Sequence, residues 1–187
     1  MARNRFTVIL SGDGGDEVFW GYPRFLRYMQ HLKWFEKPVL VRKIQSVIQR
    51  RLTGTYISQA ILQPTLGDWV RLGQTHNFID HIVKFYPSFH MSDETRALYT
   101  FNSAGKPKEE VLAWLRQNEF YGHMQRVLLK VDRASMYHSL EVRVPFLDKE
   151  VLEASGQLIP QLGITHDEPK IVLKKLMLKY FPEELVN

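Results

Sequence analysis

The feature that most constrains this chain is a strand-like run that leads directly into a glycine-rich, acidic loop. Residues 6–10 are apolar and partly β-branched, and residues 11–15 are types that favour turns. Helical spacing then begins at Asp16 and Glu17, whose carboxylates suit the positive end of a helix dipole. The pattern predicts a buried strand, a loop and the start of a helix, in that order.

The glycines of this loop indicate a bound anion, whereas its acids indicate a cation. Glycine allows backbone N–H groups to converge on a ligand, and a helix N-terminus behind them favours negative charge. The carboxylates of Asp13, Asp16 and Glu17 would repel a bare phosphate, but a divalent cation such as Mg²⁺ between carboxylate and phosphate oxygens removes this conflict. The alternative is a tight strand-to-helix turn without a ligand, and spacing alone does not choose between the two. The loop matches neither the Walker A nor the G-x-G-x-x-G pattern.

Most of the remaining sequence has helical spacing. Residues 23–52 are basic and amphipathic, and Pro38 is expected to separate two helices there. In the second of these helices the apolar positions are Leu40, Ile44, Val47 and Ile48, with Arg42, Lys43, Gln45 and Arg50 between them. Residues 53–99 are interpreted as short helices joined by turns.

Further helices are expected after the break at residues 102–107. Asp148 is a suitable N-cap for a helix that Gly156 would end, and a last helix is expected from Pro169. Residues 141–146 are expected to be extended, because the residue before Pro145 avoids the helical region. The fold class is therefore mostly α with one or two short strands. One strand cannot hold a sheet together, so either the protein is all-α with an odd strand or the rest of a sheet lies in sequence outside this chain.

Composition excludes several classes of function. The chain has no cysteine, which rules out disulfides, thiolate metal sites and cysteine nucleophiles and fits a reducing compartment. No apolar run is long enough to span a membrane, and the first residues lack a secretory signal, so a cytoplasmic protein is expected. The net charge of +5 favours polyanionic partners in general. Nucleic acid is not the expected partner, because the sequence contains no module that binds it.

Residues 10–22 have the sequence LSGDGGDEVFWGY, which resembles the motif L-S-G-E/D-G-x-D-E-x-F-G-G-Y of the asparagine synthetase family. Two positions depart from this motif. Asp13 stands where amide-forming asparagine synthetases often have glutamate, which leaves the acceptor carboxylate open, and Trp20 replaces a usual glycine.

Residues 132–148 resemble a second motif of the same family, D-R-x-S-M-x-x-S-L-E-x-R-x-P-F-L-D. Asp132 and Arg133 are expected late on a helix, whereas Glu141 and Arg143 should share one side of an extended segment. These two side chains could form a buried ion pair between strand and helix or contact a polar substrate, and the ion pair is the favoured interpretation.

Lys170 and Lys174 lie four residues apart in a predicted helix and would then share a face. Taken alone, this pattern is typical of a solvated basic surface. The segment is also similar to the family's K-x-x-L-R/K motif, in which the first lysine faces the acyl-adenylate and pyrophosphate. The resemblance assigns that role to Lys170 and, more weakly, to Lys174.

By this resemblance, residues 1–187 are part of an asparagine synthetase domain, the C-terminal fragment of an α/β adenine-nucleotide domain of the PP-loop, HUP-like type. The family's S-G-G-x-D-S loop and its glutaminase domain, which begins with a catalytic cysteine, do not occur in the chain. We therefore expect the chain to be inactive alone and to need the missing N-terminal part of the same enzyme. A homodimer is left open.

The resemblance also implies a reaction and its site. A carboxylate, aspartate by default, attacks ATP to give an acyl-adenylate and pyrophosphate, and ammonia then displaces AMP. The cofactors are ATP and Mg²⁺. The implied site comprises Asp13, Lys170 and Lys174 as catalytic residues, Ser11, Gly12 and Gly14 at the nucleotide, and Asp16 at the metal. Two alternatives stay open: a non-catalytic basic helical binding module, and a related synthetase that forms a β-lactam, a cyclic peptide or an amide of a sugar-pathway intermediate.

Overall fold

The computed structural model describes residues 5–52, 55–75, 79–165 and 168–186. These residues are mostly helical and include two short strands, β1 (Val8–Leu10) and β2 (Glu141–Arg143). The strands pair in parallel, with Val8 opposite Glu141 and Leu10 opposite Arg143. The expectation of a mostly α protein with one or two short strands is confirmed.

Twelve α-helices are formed by the described residues. They are α1 (Gly15–Val18), α2 (Pro23–His31), α3 (Val39–Leu52), α4 (Thr55–Ala60), α5 (Leu66–Thr75), α6 (Ile79–Phe85), α7 (Asp93–Tyr99), α8 (Lys108–Asn118), α9 (Met124–Met136), α10 (Lys149–Gly156), α11 (Pro160–Gly163) and α12 (Ile171–Met177). Short 3₁₀ helices occupy Leu32–Glu36, Pro145–Leu147 and Glu183–Leu185, and a π-helical turn, Glu119–His123, joins α8 to α9. None of the helices in the described ranges has the length and apolar character needed to cross a bilayer.

The chain divides into two compact units. The first comprises residues 1–26 and 108–187, and the second comprises residues 27–107. In the first unit the fully buried side chains include Trp20, Val111, Leu115 and Met124. In the second unit Trp69 is fully buried, with the Tyr28 ring at its edge 4.8 Å away and the Phe35 ring stacked on it at 5.9 Å.

Strand β1 forms where it was predicted, but it is not buried. The side chain of Leu10 is 72% exposed, and Phe6 and Val8 are also exposed. A parallel strand is buried on both faces only when helices cover both sides of its sheet. Within the described residues the sheet has two strands, so β1 has one neighbour; Val8 and Leu10 remain open to solvent and Ile9 is half-buried.

Helix α3 forms as predicted after Pro38, but its apolar side faces solvent. Leu40, Ile44, Val47 and Ile48 are all exposed, whereas Arg42 and Ser46 are buried. The reason lies in the neighbouring helix α4, which packs against α3. Arg42 Nη1 donates to the carbonyl oxygens of Ile61 and Gln63, just beyond α4, at 3.2 and 2.6 Å. These hydrogen bonds bind the polar side of α3 to the segment that follows α4.

Candidate functional site

The glycine-rich loop begins directly at the end of β1. The amide of Ser11 donates to the carbonyl of Arg143 at 2.9 Å, which extends the strand pairing by one hydrogen bond. Gly14 has a φ of +90°, and a Cβ atom there would lie 2.6 Å from Leu147 Cδ2. Both the backbone and the available space therefore require glycine. The helix behind the loop, α1, has only four residues.

Within the loop, Ser11 and Asp13 bind each other. Ser11 Oγ donates to Asp13 Oδ2 at 2.7 Å, and both side chains are half-buried. Gly12 between them is exposed, and a Cβ atom there would meet nothing within 4 Å. The loop therefore has open space at Gly12 beside an oriented carboxylate at Asp13.

Asp16 and Lys170 form an ion pair that joins two distant parts of the sequence. Lys170 Nζ lies 2.6 Å from Asp16 Oδ1, with side chains that are 36% and 39% exposed. Gly21 provides the space for this pair, because a Cβ atom there would lie 1.9 Å from Asp16 Oδ1 and 2.2 Å from Lys170 Cε. The structure thus brings together two of the predicted site residues and identifies Gly21, to which the sequence interpretation gave no role.

Lys170 reaches Asp16 from outside the last helix. Helix α12 begins at Ile171, and Lys170 precedes it with a left-handed backbone, φ +57°. The prediction that Lys170 and Lys174 share a face of one helix is therefore wrong. Lys174 has its own partner, Glu168 Oε1, at 2.8 Å. Each ammonium is paired with a different carboxylate.

Glu17 does not take part in the exposed loop. It is buried and accepts a hydrogen bond from the hydroxyl of Tyr22. Burial raises the pKa of the Tyr22 hydroxyl above its ordinary value, and the hydrogen bond to Glu17 raises it further. Of the three carboxylates predicted to face a ligand together, Glu17 is directed into the protein, which leaves Asp13 and Asp16 at the loop.

A second ion pair, buried on its acidic side, lies next to Tyr22. Arg24 donates from Nε and Nη2 to the two carboxylate oxygens of Glu119 at 2.8 and 2.6 Å, and Glu119 is fully buried. The Arg24 guanidinium also lies 3.6 Å from the centroid of the Tyr22 ring. The His123 ring packs edge-on against Tyr22 at 5.7 Å, and burial lowers the pKa of His123. Glu119 and His123 begin and end the π-helical turn, a rare element that often occurs at functional sites.

Sequence reasoning missed this cluster of Tyr22, Arg24, Glu119 and His123. Tyr22 lies in the first motif, but Arg24 and Glu119 are 95 residues apart and belong to no recognised pattern. The only available signal was an arginine two residues after the motif, which has no distinguishing spacing. The π-helical turn that carries Glu119 and His123 contacts α1, the helix directly behind the glycine-rich loop.

The second motif lies on α9 and β2. Asp132 and Arg133 are late on α9, as predicted, and both are exposed. Glu141 and Arg143 share one side of β2 and form an ion pair with an Nε–Oε1 distance of 2.7 Å. Their side chains are 53% and 65% exposed, so the expectation of a buried pair between strand and helix is wrong.

Trp20, which replaces a glycine of the family motif, has a positive φ of +53°. This backbone conformation explains why glycine is usual at that position. The indole is fully buried, its N–H donates to the carbonyl of Leu112 at 2.8 Å, and the Arg116 guanidinium lies 4.7 Å from its ring centroid.

The site therefore presents two partly exposed groups of opposite charge beside open glycine backbone. No group of three or more acidic or histidine side chains that could hold a metal occurs in the described ranges. Mg²⁺ is commonly held by one or two carboxylates together with water and substrate phosphates. Asp16, partly exposed at the loop, fits such a ligand. Lys170 fits a contact with an anion.

Comparison with known proteins places the chain in a family. The model of the asparagine synthase family matches residues 1–187. The chain belongs to the asparagine synthase family.

Relatives with curated descriptions match over the whole chain. It is 27% identical over 201 residues to asparagine synthetase [glutamine-hydrolyzing] 1 of Bacillus subtilis. It is 25% identical over 199 residues to putative glutamine-hydrolysing asparagine synthetases of Mycobacterium bovis and Mycobacterium tuberculosis. The chain spans about 30% of the length of these relatives. No solved structure matches it.

Proposed function

We propose that this chain is part of an ATP-dependent synthetase that activates a carboxylate, aspartate by default, as an acyl-adenylate and transfers nitrogen to it. AMP and pyrophosphate are the other products. The observation that carries the proposal is the contact between Asp16 and Lys170 at 2.6 Å. This contact joins the acidic glycine-rich loop to the lysine motif. By the family resemblance, Asp16 of the loop binds Mg²⁺, and Lys170 of the lysine motif contacts the pyrophosphate.

The proposed roles follow the chemistry of each group. Asp16 holds Mg²⁺, which supplies positive charge to the phosphate oxygens when it is bound. Lys170 leaves its pairing with Asp16 and stabilises negative charge on the departing pyrophosphate. Asp13, oriented by Ser11 at 2.7 Å, lies beside the carboxylate that is activated.

The backbone supports these roles. Ser11, Gly12 and Gly14 contact the nucleotide, and the open space at Gly12 allows a ligand to approach the main chain closely. Lys174, which pairs with Glu168 at 2.8 Å, has the lesser role that the family resemblance gives it. The other motif residues have no assigned contact with substrate, and they are Glu17, Asp132, Arg133, Glu141 and Arg143.

This proposal includes the wider domain. Residues 1–187 form the C-terminal part of a PP-loop, HUP-like α/β domain, whose remaining strands extend the sheet of β1 and β2. The exposed side chains of β1 support this, since a parallel strand normally has helices over both faces. The partners are ATP, the carboxylate, ammonia and the rest of the same enzyme, and a homodimer is compatible with them.

A chimera tests the proposal directly. The region of the Bacillus subtilis relative that matches this chain is replaced by residues 1–187, and pyrophosphate release is measured with ATP, Mg²⁺, aspartate and ammonia. We expect aspartate-dependent release that Lys170→Ala lowers by roughly 10²-fold or more, because a charge at the transition state is lost. Lys175→Ala removes an exposed lysine within α12 and should leave the rate unchanged.

Two results would contradict the proposal. Pyrophosphate release by this chain alone would show that it needs no further part of an enzyme. A chimera that unfolds cooperatively but binds no ATP would instead support a non-catalytic binding module. Replacing aspartate by other carboxylates in the same assay identifies the acceptor.

A further inference from the structure

A cavity in the second unit has the composition of a small-molecule site. Its volume is about 550 Å³, which lies within the range of roughly 300–1,000 Å³ that is typical of ligand pockets. The lining includes Asp68, Arg71, Arg96, Phe89, Tyr99 and Phe101. All of these residues belong to the second unit, whereas the glycine-rich loop and Lys170 belong to the first. None of the residues that line the cavity belongs to the site described above.

The acidic group of the cavity already has partners. Asp68 Oδ2 accepts hydrogen bonds from the amide and the hydroxyl of Thr65 at 3.2 and 2.8 Å. Asp68 Oδ1 pairs with Arg71 Nη2 at 3.3 Å. These contacts hold Asp68 in place and neutralise Arg71, so this pair contributes little net charge to the cavity.

Arg96 supplies the charge that remains. It lies on α7, its side chain is exposed, and its guanidinium has no hydrogen bond or ion pair to any other described residue. The two arginines and one aspartate therefore leave one net positive charge in the cavity wall. A guanidinium presents a planar fork of donors that matches a carboxylate.

Three aromatic side chains, Phe89, Tyr99 and Phe101, line the cavity beside Thr65, His90, Met91, Thr100 and Asn102. The Tyr99 hydroxyl donates to Gln74 Oε1 at 2.7 Å, which sets the position of its ring. Phe101 is half-buried, and Phe89 is 40% exposed. Aromatic side chains bury a large apolar area of any ligand that lies against them. The chemistry of the cavity thus combines an apolar surface with a single unpaired cation.

We propose that this cavity binds a small organic monocarboxylate with an apolar or aromatic body. The carboxylate pairs with Arg96, and the body lies against Phe89, Tyr99 and Phe101. A polyphosphate is disfavoured, because its several negative charges would face Asp68 and only one uncompensated cation. No residue of the loop at Asp16 lines this cavity, and the inference does not rest on the proposed synthetase function.

The test uses the full chain and phenylacetate as the probe, measured by calorimetry and by ligand-observed NMR. We expect one phenylacetate per chain, with phenylacetamide, its uncharged analogue, binding at least about tenfold more weakly because the contact with Arg96 is lost. Arg96→Gln should weaken phenylacetate binding by a similar factor. Arg51→Gln removes an exposed arginine of α3 that does not line the cavity, and it should leave binding unchanged.

Three results would overturn the proposal: equal binding of phenylacetate and phenylacetamide, equal affinities of the Arg96→Gln and Arg51→Gln chains, or tighter binding of pyrophosphate than of phenylacetate in competition. Circular dichroism and thermal unfolding confirm that the variants fold. Should Arg96→Gln fail to fold, Phe89→Ala takes its place. It should weaken phenylacetate binding while the chain still prefers the acid over the amide, and unchanged affinity would again contradict the site.

Discussion

The backbone at Trp20 shows how one residue can depart from a family motif. A left-handed φ costs a residue other than glycine roughly 1–2 kcal/mol. Here the indole offsets that cost, since it is fully buried and donates a hydrogen bond to Leu112. Room for the ring comes from Gly163, because a Cβ atom there would lie 2.1 Å from Trp20 Cε3. The departure at position 20 and the glycine at position 163 therefore depend on each other.

This dependence predicts the effect of a single methyl group. Gly163→Ala should lower the free energy of unfolding by about 1–3 kcal/mol, because the ring or the backbone must move to accommodate the new atom. Gly156→Ala is the matched control, since a Cβ atom at this helical position would meet nothing within 4 Å. It should be neutral or stabilising by up to about 1 kcal/mol. Denaturant unfolding of both variants measures the difference, and equal losses would contradict the role of Gly163.

At the scale of the element, helix α3 shows that an amphipathic pattern does not determine which side is buried. The usual expectation is that the apolar stripe faces the core. In this helix Arg42 is only 4% exposed, whereas Leu40 is 71% exposed. The hydrogen bonds of Arg42 to the carbonyls of buried Ile61 and half-buried Gln63 explain the reversal, because acceptors withdrawn from water need a donor.

Removing Arg42 should therefore be costly, although it is a charged residue on a basic helix. Arg42→Ala is expected to lower the free energy of unfolding by about 2 kcal/mol, because it leaves carbonyls without a donor. Arg50→Ala makes the same change at an exposed position of α3 and should alter stability by no more than about 0.5 kcal/mol. Urea unfolding followed by tryptophan fluorescence compares them. Similar losses of unfolding free energy in both variants would mean that the hydrogen bonds of Arg42 add no stability beyond that of an exposed arginine on α3.

The whole molecule carries a net charge of +5 when its histidines are neutral, and protonation of those histidines adds further positive charge. Self-repulsion then opposes the compact state. His123 adds a specific contribution, because burial lowers its pKa in the folded protein, with Arg24 and Arg126 lowering it further and Glu119 opposing them. The unfolded chain binds a proton at His123 more readily than the folded chain does.

This difference sets the direction of the pH dependence. As the pH falls from the ordinary histidine value of 6.5 towards the lower folded pKa, the unfolded state takes up the proton first and stability is lost. His123→Gln should reduce this loss, which is measured as a shallower fall of the thermal midpoint below pH 6.5. His138→Gln removes an imidazole from an exposed position and controls for the change in net charge. An identical slope in the His123→Gln chain and the unchanged chain would contradict this assignment.

The sequence by itself determined the local features. Several of them form at the predicted positions: the strand, the glycine-rich loop, the break at Pro38 and the end of α10 at Gly156. Asp148 also caps α10 as predicted, since its Oδ1 accepts a hydrogen bond from the Glu150 amide at 3.0 Å. Each depends on backbone preferences or hydrogen bonds between near neighbours, which residue types alone specify. The motifs are likewise contiguous, so the order of residues alone indicates the family.

Only the tertiary structure decided which distant groups meet. Asp16 lies against Lys170, and Arg24 lies against Glu119. The tertiary structure also decided that Glu17 is buried and that the polar side of α3 faces the protein interior. Lys170 lies outside α12 and therefore does not share a helical face with Lys174. No local pattern encodes these outcomes, because they depend on which surface satisfies buried donors and acceptors after the chain has folded back on itself.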